Sequence, residues 1–158
     1  MNSQPSRETI QDVTARTLEG LALMFLVPAE QSPEADMAVG AEVAFHGPVE
    51  GRLLLAASEG VLCELATNML GLDADAPPTE HQEDALRELG NVICGNLLPA
   101  LYGAEAVFHI DAPVSASTKC VQEAAGRHSE TMSAWLHTDC GRVLVALCVH
   151  DAVAATSG

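Results

Sequence analysis

The sequence predicts an α/β fold of the α+β sandwich type, in which a mostly antiparallel sheet carries long helices packed on one face. Short segments that alternate apolar and polar residues occur in pairs joined by turn residues, as in β-hairpins. Segments with apolar residues at helical spacing separate these pairs. The 158 residues are enough for one domain with its own core. We therefore expect a single domain over 1–158, with flexible ends at 1–5 and 152–158.

The composition excludes two classes of partner. Acidic residues outnumber basic ones by 22 to 7, the formal net charge is −15, and Lys119 is the only lysine. No cluster of Lys and Arg occurs, so nucleic acid and anionic membrane surfaces would be repelled. Hydrophobic residues make up 48% of the chain and aromatic ones only 3%. The core is therefore predicted to consist of Leu, Val and Ala.

Cysteine usage and the N-terminal sequence indicate the compartment. The five cysteines are an odd number without a C-x-x-C pair, which favours a reducing compartment over a disulfide framework. The N-terminus has no basic segment followed by an apolar run, and the longest apolar stretch, Leu21 to Val27, is too short to span a bilayer. These features predict a cytoplasmic protein.

The first half of the chain predicts a helix, a hairpin and a second helix. Pro28 is expected to end the first helix, and Ser58 and Gly71 are expected to cap the two ends of the second. Val43 and Phe45 alternate with polar or small neighbours, as in a half-buried strand. The predicted elements are a helix from Ser6 to about Leu26, a loop from Ala29 to Val39, strands on either side of the turn 47–51, the second reaching Ala57, and a helix from Ser58 to Gly71.

The second half predicts a long helix followed by short strands. Pro113 marks the end of a strand or an edge position, because proline cannot donate to a ladder. The predicted elements are a helix from about Thr79 to Leu101, strands at Glu105 to Asp111 and Val114 to Thr118, an irregular loop from Lys119 to Glu130, and a hairpin of Met132 to Thr138 with Arg142 to Val149.

The long helix has the best-defined start. Pro77 and Pro78 prevent helical structure just before it, and Thr79 is a predicted N-cap with Gln82 three residues later, the spacing of a capping box. Pro99 should kink or end this helix, since proline lacks the backbone N–H.

The long helix has two faces at 100° per residue. One face is an apolar stripe that predicts contact with the core. On nearly the opposite face lie Asp84, Glu88 and Asn91 at i, i+4 and i+7, with Gly95 at i+11. The apolar stripe comprises Ala85, Leu86, Leu89, Val92, Ile93 and Leu97.

The polar face can be interpreted in two ways. Glu88 can pair with a cation or act as a base, and Asn91 offers a donor and an acceptor that could orient a water molecule. Gly95 costs helix stability, and a bare backbone there would let another surface approach. The alternative is an ordinary solvated face, because polar residues at this spacing occur on any surface helix. Spacing alone leaves both open.

The segment from Asp84 to Asn91 resembles the D/S-x3-E-x2-N signature of the CheC/CheX/FliY phosphatases of bacterial chemotaxis, and the CheX branch in particular. The family signature continues with a proline roughly twenty residues later, to which Pro113 corresponds. The resemblance extends over about Gly40 to Pro113, including the hairpin and helix before the signature, and more loosely over the hairpin after it.

The resemblance implies a protein phosphatase that dephosphorylates the phospho-aspartate of a CheY-like response-regulator receiver domain. It implies that Glu88 pairs with the receiver's active-site lysine, that Asn91 orients the attacking water, and that Asp84 supports docking. It also implies that the chain has no cofactor of its own, that Mg²⁺ belongs to the receiver, and that a homodimer forms through the sheet. The terminal strand from Arg142 to Val149 is continuously apolar after Arg142, which is typical of a strand covered on more than one side.

A second hypothesis of a different class is a non-catalytic module of the same fold that binds a receiver or a flagellar-switch component. The intact pair of Glu88 and Asn91 favours the enzyme. The first helix has no Glu-x-x-Asn, so the sequence predicts one site only.

Other polar residues have structural explanations. His137 with Cys140, and Cys148 with His150, are His/Cys pairs near metal-ligand spacing, but neither has a second half, so no metal site is predicted. Asn96 turns toward the apolar side of the long helix, which predicts a buried amide bonded to a neighbouring loop; direct contact with a substrate is the alternative.

Overall fold

The computed structural model describes residues 7–29, 37–71, 79–126 and 131–150. The predicted flexible ends at 1–5 and 152–158 lie outside these ranges. The elements are α1 (Arg7–Ala22), β1 (Val27–Ala29), β2 (Val39–His46), β3 (Glu50–Ala57), α2 (Glu59–Leu70), α3 (Thr79–Tyr102), β4 (His109–Ile110), β5 (Val114–Ala116), α4 (Thr118–Ala125), β6 (Thr131–Thr138) and β7 (Gly141–His150).

The described strands form one sheet in which every pair is antiparallel. Its order is β1-β6-β7-β3-β2, and β4 and β5 both pair with the outer edge of β2. The two predicted hairpins, β2–β3 and β6–β7, are confirmed, and β7 joins them by pairing with β3 from Gly51↔Val149 to Ala57↔Val143. The predicted antiparallel α+β architecture is therefore correct.

The three long helices cover one face of the sheet, as predicted. Alternate residues of β2, β3, β6 and β7 point into this layer and pack against α1, α2 and α3. The largest fully buried side chains are Ile10, Leu18, Met24, Phe45, Leu53, Leu55, Leu62, Leu65, Leu86, Leu89, Ile93 and Leu97. Aliphatic residues dominate this core, as the composition predicts.

A fourth helix covers part of the opposite face, where the sequence analysis predicted an irregular loop over Lys119 to Glu130. The Ser117 side chain accepts a hydrogen bond from the Cys120 N–H at 3.0 Å and so caps α4. Val121, Ala124 and Ala125 then pack on residues of β3, β6 and β7. The loop prediction was wrong for 119–125 because α4 is short and its apolar side chains are mostly alanine. Thr118, predicted as the end of a strand, is the first residue of α4.

The first helix ends at Ala22, four residues before the predicted end. Leu23 adopts a left-handed conformation with φ 56°. Its N–H donates to Glu19 O at 3.1 Å and the Met24 N–H donates to Leu18 O at 3.2 Å, which closes the helix end. The amide of Asn68 on α2 donates to the Ala22 carbonyl at 2.6 Å. Tertiary contacts with α2 thus help to determine where α1 ends. The chain then continues into β1.

Two strand predictions need correction at their ends. Ala29 and Val39, placed in a loop by the sequence analysis, belong to β1 and β2. The predicted strand over Glu105 to Asp111 is reduced to the two residues of β4, because only that segment reaches β2. Most of the predicted loop between Ala29 and Val39 lies outside the described residues.

Two helix ends differ from their predictions in detail. Ser58 occupies the N-cap position of α2 but makes no side-chain cap bond; its hydroxyl instead accepts from the Arg142 N–H at 3.0 Å, tying α2 to β7. Gly71 ends α2 as predicted, at φ 66°. Pro99 does not end α3, which continues to Tyr102. The Gly103 N–H then bonds to Pro99 O at 2.9 Å, and Gly103 has φ 96°.

The apolar character of β7 is explained within one chain. Val143, Val145 and Leu147 face the three-helix layer. Leu144, Ala146 and Cys148 face the opposite layer under α4. The strand therefore lies at the centre of the sheet with both faces covered, and its sequence pattern no longer supports an interface between copies.

Candidate functional site

The helix α3 is held rigidly by its buried face. Leu86, Leu89, Ile93 and Leu97 are almost fully buried, and Val92 is half-buried. Gly90 brings the helix close to the sheet, since a Cβ atom there would lie 2.9 Å from Leu55 Cδ2. The opposite face is therefore presented to solvent by a helix that packing fixes along most of its length.

The residues predicted as a site lie together on that solvent face. Asp84, Glu88, Asn91 and Gly95 are all exposed, in one stripe along α3. No heavy atom would lie within 4 Å of a Cβ atom at Gly95. Gly90 and Gly95 thus have different explanations: the first permits close packing on the sheet, and the second leaves open space next to Asn91.

Asp84 is already paired within the chain. Its carboxylate forms an ion pair with the guanidinium of Arg87, three residues later. The other arm of Arg87 donates from Nη1 to Ser115 Oγ at 2.8 Å. Arg87 is half-buried, with 29% of its side chain exposed. The predicted docking role of Asp84 must therefore include an intramolecular contact.

The proline of the signature lies next to this contact. Pro113 stands between β4 and β5, and Ser115 pairs with Ala41 of β2 in the antiparallel register of β5. Arg87 thus connects the polar face of α3 to the strand that begins directly after Pro113. Neither Arg87 nor Ser115 is among the site residues predicted from the sequence. The i, i+3 spacing of Asp84 and Arg87 was the available signal for the ion pair, whereas the Ser115 contact depends on tertiary structure.

Asn96 does not occupy the environment predicted for it. The residue is exposed, and its amide nitrogen donates to Thr17 Oγ1 of α1 at 3.2 Å. The partner is a helix and not a loop, because α1 packs beside α3 and Asn96 lies at the boundary between the two helices. This bond gives Asn96 a structural role in joining α1 and α3.

The histidines and cysteines of the described residues include no group of three or more ligands that could hold a metal ion. The Cys140 thiol donates to Glu64 Oε1 at 3.1 Å, and this hydrogen bond is the largest cause of the raised pKa of Cys140. Burial raises the pKa of Cys94 to about 12. Neither thiol is therefore an activated nucleophile. The side chain of His150 lies outside the described part of the structure.

One cavity of about 330 Å³ lies away from α3, between the end of α1, β1 and the β6–β7 turn. Leu23 and Phe25 on its rim are largely exposed, at 73% and 71%.

Among the helices of the described residues, none combines the length and the apolar sequence that a membrane-spanning helix needs.

Comparisons with known proteins identify a family. A family model described as "Chemotaxis phosphatase CheX" matches residues 39–133, which include the signature, Ser115 and Pro113. None of the curated proteins is significantly similar to the chain in sequence.

Solved structures share the fold at low sequence identity. The chemotaxis protein CheX from Vibrio vulnificus superimposes with a TM-score of 0.73 at 19% identity, over 95% of this chain and 99% of that one. A chain of the CheX-CheY-BeF3-Mg²⁺ complex from Borrelia burgdorferi has a TM-score of 0.63 at 17% identity, over 90% of this chain and 96% of that one. A chain of the FliM-SpeE complex from H. pylori has a TM-score of 0.52 at 12% identity, over 92% and 89%.

Proposed function

The chain belongs to the CheX family of chemotaxis phosphatases, and from that premise we propose that it hydrolyses the phospho-aspartate of a CheY-like receiver domain in a response regulator. One observation supports this most: Glu88 and Asn91 stand exposed, one turn apart, on the packed helix α3 within the matched region. A carboxylate and a carboxamide at that spacing can engage a lysine and a water molecule at the same time.

In the proposed mechanism, Glu88 forms an ion pair with the receiver's active-site lysine and so docks α3 against the receiver. Asn91 then lies beside the acyl phosphate and orients a water molecule for in-line attack on phosphorus. The bond from the water oxygen to phosphorus forms while the bond from the aspartate oxygen breaks. The products are a free aspartate carboxylate on the receiver and inorganic phosphate.

This mechanism depends on how the water molecule and the phosphoryl group are positioned, more than on a reactive side chain of the phosphatase. Phosphoryl transfer passes through a loose transition state, so a catalyst gains most from alignment and from dipoles held in place. Packing of Leu89 and Ile93 fixes the backbone that carries Asn91. No nucleophile of the phosphatase enters the reaction, which is consistent with the raised thiol pKa values of Cys94 and Cys140.

The metal in this proposal belongs to the substrate. The complex from Borrelia burgdorferi contains CheY, BeF3 and Mg²⁺ together with CheX. We accordingly assign Mg²⁺ to the receiver domain, where it neutralises phosphoryl charge, and assign no cofactor to this chain. The proposed substrate is an intracellular signalling protein, so we also propose a cytoplasmic location.

Charge constrains how the two proteins meet. With a net charge of −15, long-range attraction would favour only a basic partner surface. Glu80, Glu83, Asp84 and Glu88 make the first half of α3 acidic, with Arg87 as its only Lys or Arg. Complementarity is therefore local, between this acidic face and the lysine at the receiver's active site.

The second candidate function is a non-catalytic module that binds a receiver or a flagellar-switch component. The shared fold of a chain in the FliM-SpeE complex is the observation that supports it. In that case Glu88 would still dock a partner, but Asn91 would not accelerate hydrolysis.

The experiment that separates the two follows the decay of a phosphorylated receiver from the same genome, with and without this chain at substoichiometric concentration. The enzyme hypothesis predicts faster decay with multiple turnovers per chain. If decay of the receiver is unchanged but the chain still binds a beryllofluoride-activated receiver, the result would support the non-catalytic binding module. Absence of both effects would contradict both functions for that receiver.

We further propose a homodimer, as the family resemblance implies. An apolar surface suited to it lies in and just before the edge strand β1, where Leu23, Phe25 and Val27 are all more than half exposed. Isolated exposed apolar residues are ordinary, but three at one sheet edge are typical of an interface.

A further inference from the structure

We propose that Arg87 is a positioning residue that braces the Glu88–Asn91 turn of α3 against the strand following Pro113, and that Asp84 acts through Arg87 and not by touching the partner. This inference rests on the proposed phosphatase function for its effect on rate. The contacts that define the brace are independent of that function.

The brace has three members on two elements. Asp84 and Arg87 are on α3, where their ion pair spans one helical turn. Ser115 is on β5, and its hydroxyl accepts from Arg87 Nη1 at 2.8 Å. A guanidinium is suited to this role because its planar fork can donate to two partners at once in fixed directions. A lysine ammonium would lack that geometry.

The position of Arg87 makes the brace relevant to the site. It directly precedes Glu88 and lies one turn before Asn91, at i and i+4 on α3. Asp84 is more exposed than Arg87, at 56% against 29% of the side chain. The carboxylate therefore lies at the surface and holds the outer side of the guanidinium, while Ser115 holds its other arm.

The strand at the other end of the brace is short and lies at the sheet edge. Three residues of β5, Val114, Ser115 and Ala116, pair with β2. Proline at 113 contributes no N–H to the ladder. A short strand at such an edge opens easily. A side-chain hydrogen bond from α3 would therefore stabilise the paired conformation of β5. Both parts of the signature, the helical turn and the proline segment, are then held in one arrangement.

The charge of Arg87 has a second effect. Glu88 is next to Asp84 on the exposed stripe, at i and i+4, where two carboxylates repel. Pairing Asp84 with Arg87 neutralises the first carboxylate and leaves Glu88 as the acidic group available to the receiver's lysine. Docking specificity would thus depend on the ion pair without any contact between Asp84 and the partner.

The test compares Arg87→Gln, Arg87→Lys and Ser115→Ala with Arg16→Gln, a control that removes the exposed ion pair of Arg16 with Asp12 on α1. Misplacement of a catalytic group can lower the rate of an enzyme without weakening substrate binding. We therefore expect the maximal dephosphorylation rate to fall about 10-fold in Arg87→Gln and Ser115→Ala, while KM changes less than about twofold. Arg87→Lys should restore only part of the rate. The control should match wild type.

Two further measurements make the brace falsifiable. In a double-mutant cycle, Arg87→Gln with Ser115→Ala should be no slower than the slower single variant, since both act through one contact; additive losses would contradict the brace. Hydrogen exchange at the amides of 114–116 should accelerate in both single variants and not in Arg16→Gln. Unchanged exchange, or wild-type maximal rates in both single variants, would overturn the inference.

The failure of the proposed function would be recognised separately. If the wild-type chain does not accelerate receiver decay, the phosphatase proposal fails, and the exchange measurement alone decides whether the brace exists. Faster exchange at 114–116 then supports the structural link, and unchanged exchange refutes it. Ser115→Ala serves as the second variant if Arg87→Gln folds poorly.

Discussion

At the scale of single residues, Glu88 and Asn91 share one exposed face but are assigned different tasks. An ion pair contributes to binding in both the ground state and the transition state, whereas an amide that orients water acts mainly in the transition state. Substitutions should therefore separate the two residues by which kinetic constant changes. The raised pKa values of Cys94 and Cys140 are consistent with a reaction in which neither of these two thiols acts as a nucleophile.

We predict that Glu88→Ala weakens binding to a beryllofluoride-activated receiver by about 10-fold or more, because the receiver's lysine loses its partner. The remaining affinity should also depend less on salt concentration, since one charge pair is gone. Titration calorimetry at two ionic strengths measures both effects. Glu59→Ala, on an exposed residue of α2, is the control; equal losses in the two variants would contradict the assignment.

We predict that Glu64→Ala makes Cys140 more reactive. The thiol proton is shared with the Glu64 carboxylate, which stabilises the neutral thiol and raises the Cys140 pKa. Removing the carboxylate lowers that pKa, so a larger fraction is thiolate near pH 8 and alkylation accelerates. Mass spectrometry of the Cys140 peptide after timed iodoacetamide treatment gives the rate as a function of pH.

Glu59→Ala, also on α2, is the matched control for Cys140. A pH midpoint that does not move downward in Glu64→Ala would show that the hydrogen bond does not govern this thiol. Alkylated wild-type protein should retain its full effect on receiver decay, because Cys140 lies on the β6–β7 turn and not on α3. Chelators should likewise leave that effect intact when the receiver's own Mg²⁺ is kept saturated.

At the scale of elements, the two glycines of α3 give opposite predictions. A Cβ atom at Gly90 would lie 2.9 Å from Leu55 Cδ2 and 3.1 Å from Val43 Cγ2, so Gly90→Ala should lower the free energy of unfolding by about 1–3 kcal/mol. Gly95→Ala meets no atom within 4 Å and should raise it by up to about 1 kcal/mol through helix propensity. Denaturant titration measures both.

The same pair of variants also tests docking. If Gly95 leaves room for the receiver, Gly95→Ala should slow dephosphorylation even though the chain is more stable. A Gly95→Ala variant with wild-type activity would show that the open backbone has no role in docking. Loss of activity in Gly90→Ala, in contrast, should follow only the fraction of unfolded chain.

The elements that could be predicted from sequence are those whose signals are local. The helix α3 follows two prolines and has a continuous apolar stripe, and β2 alternates in burial before the turn that joins it to the apolar strand β3. The end of α1 could not be predicted, because Leu23 adopts a left-handed φ while Asn68 of α2 binds the last carbonyl. β1 was missed because it is three residues long with a central proline. Its strand character comes only from pairing with β6.

The helix α4 could have been found. Ser117 is a typical N-cap, and Val121, Ala124 and Ala125 follow at i, i+3 and i+4. For the site, sequence spacing was enough to place Asp84, Glu88, Asn91 and Gly95 on one exposed face. It could not place the Arg87 contact, because Ser115 is 28 residues away along the chain.

At the scale of the whole molecule, the order of the strands explains the apolar sequence of β7, which was first interpreted as a sign of dimerisation. β7 lies in the middle of the sheet, so its apolar pattern reflects two cores within one chain. Both ends of the sheet carry a proline, Pro28 within β1 and Pro113 beside β5. A proline at an edge strand hinders pairing with a further strand, because it has no backbone N–H to donate. A dimer should therefore use side chains at an edge more than new backbone ladders.

We predict a homodimer in which Phe25 is buried. Light scattering of the wild-type chain should give about twice the monomer mass of 16.5 kDa at micromolar concentration. Phe25→Ser should shift the mass toward the monomer, since a large apolar side chain dominates such contacts. Val107→Ser removes another exposed apolar side chain and should leave the mass unchanged. A wild-type mass of 16.5 kDa throughout would refute the dimer.

The most direct test of the central claim is the rate of receiver dephosphorylation by Asn91→Ala at saturating chain concentration. Removing one positioned group of this kind commonly costs about 10² to 10³ in rate, and we predict a loss of that size with affinity for the beryllofluoride-activated receiver nearly unchanged. Stability should match wild type, because Asn91 is exposed on the face opposite Leu89 and Ile93. A wild-type dephosphorylation rate in Asn91→Ala would contradict the catalytic assignment.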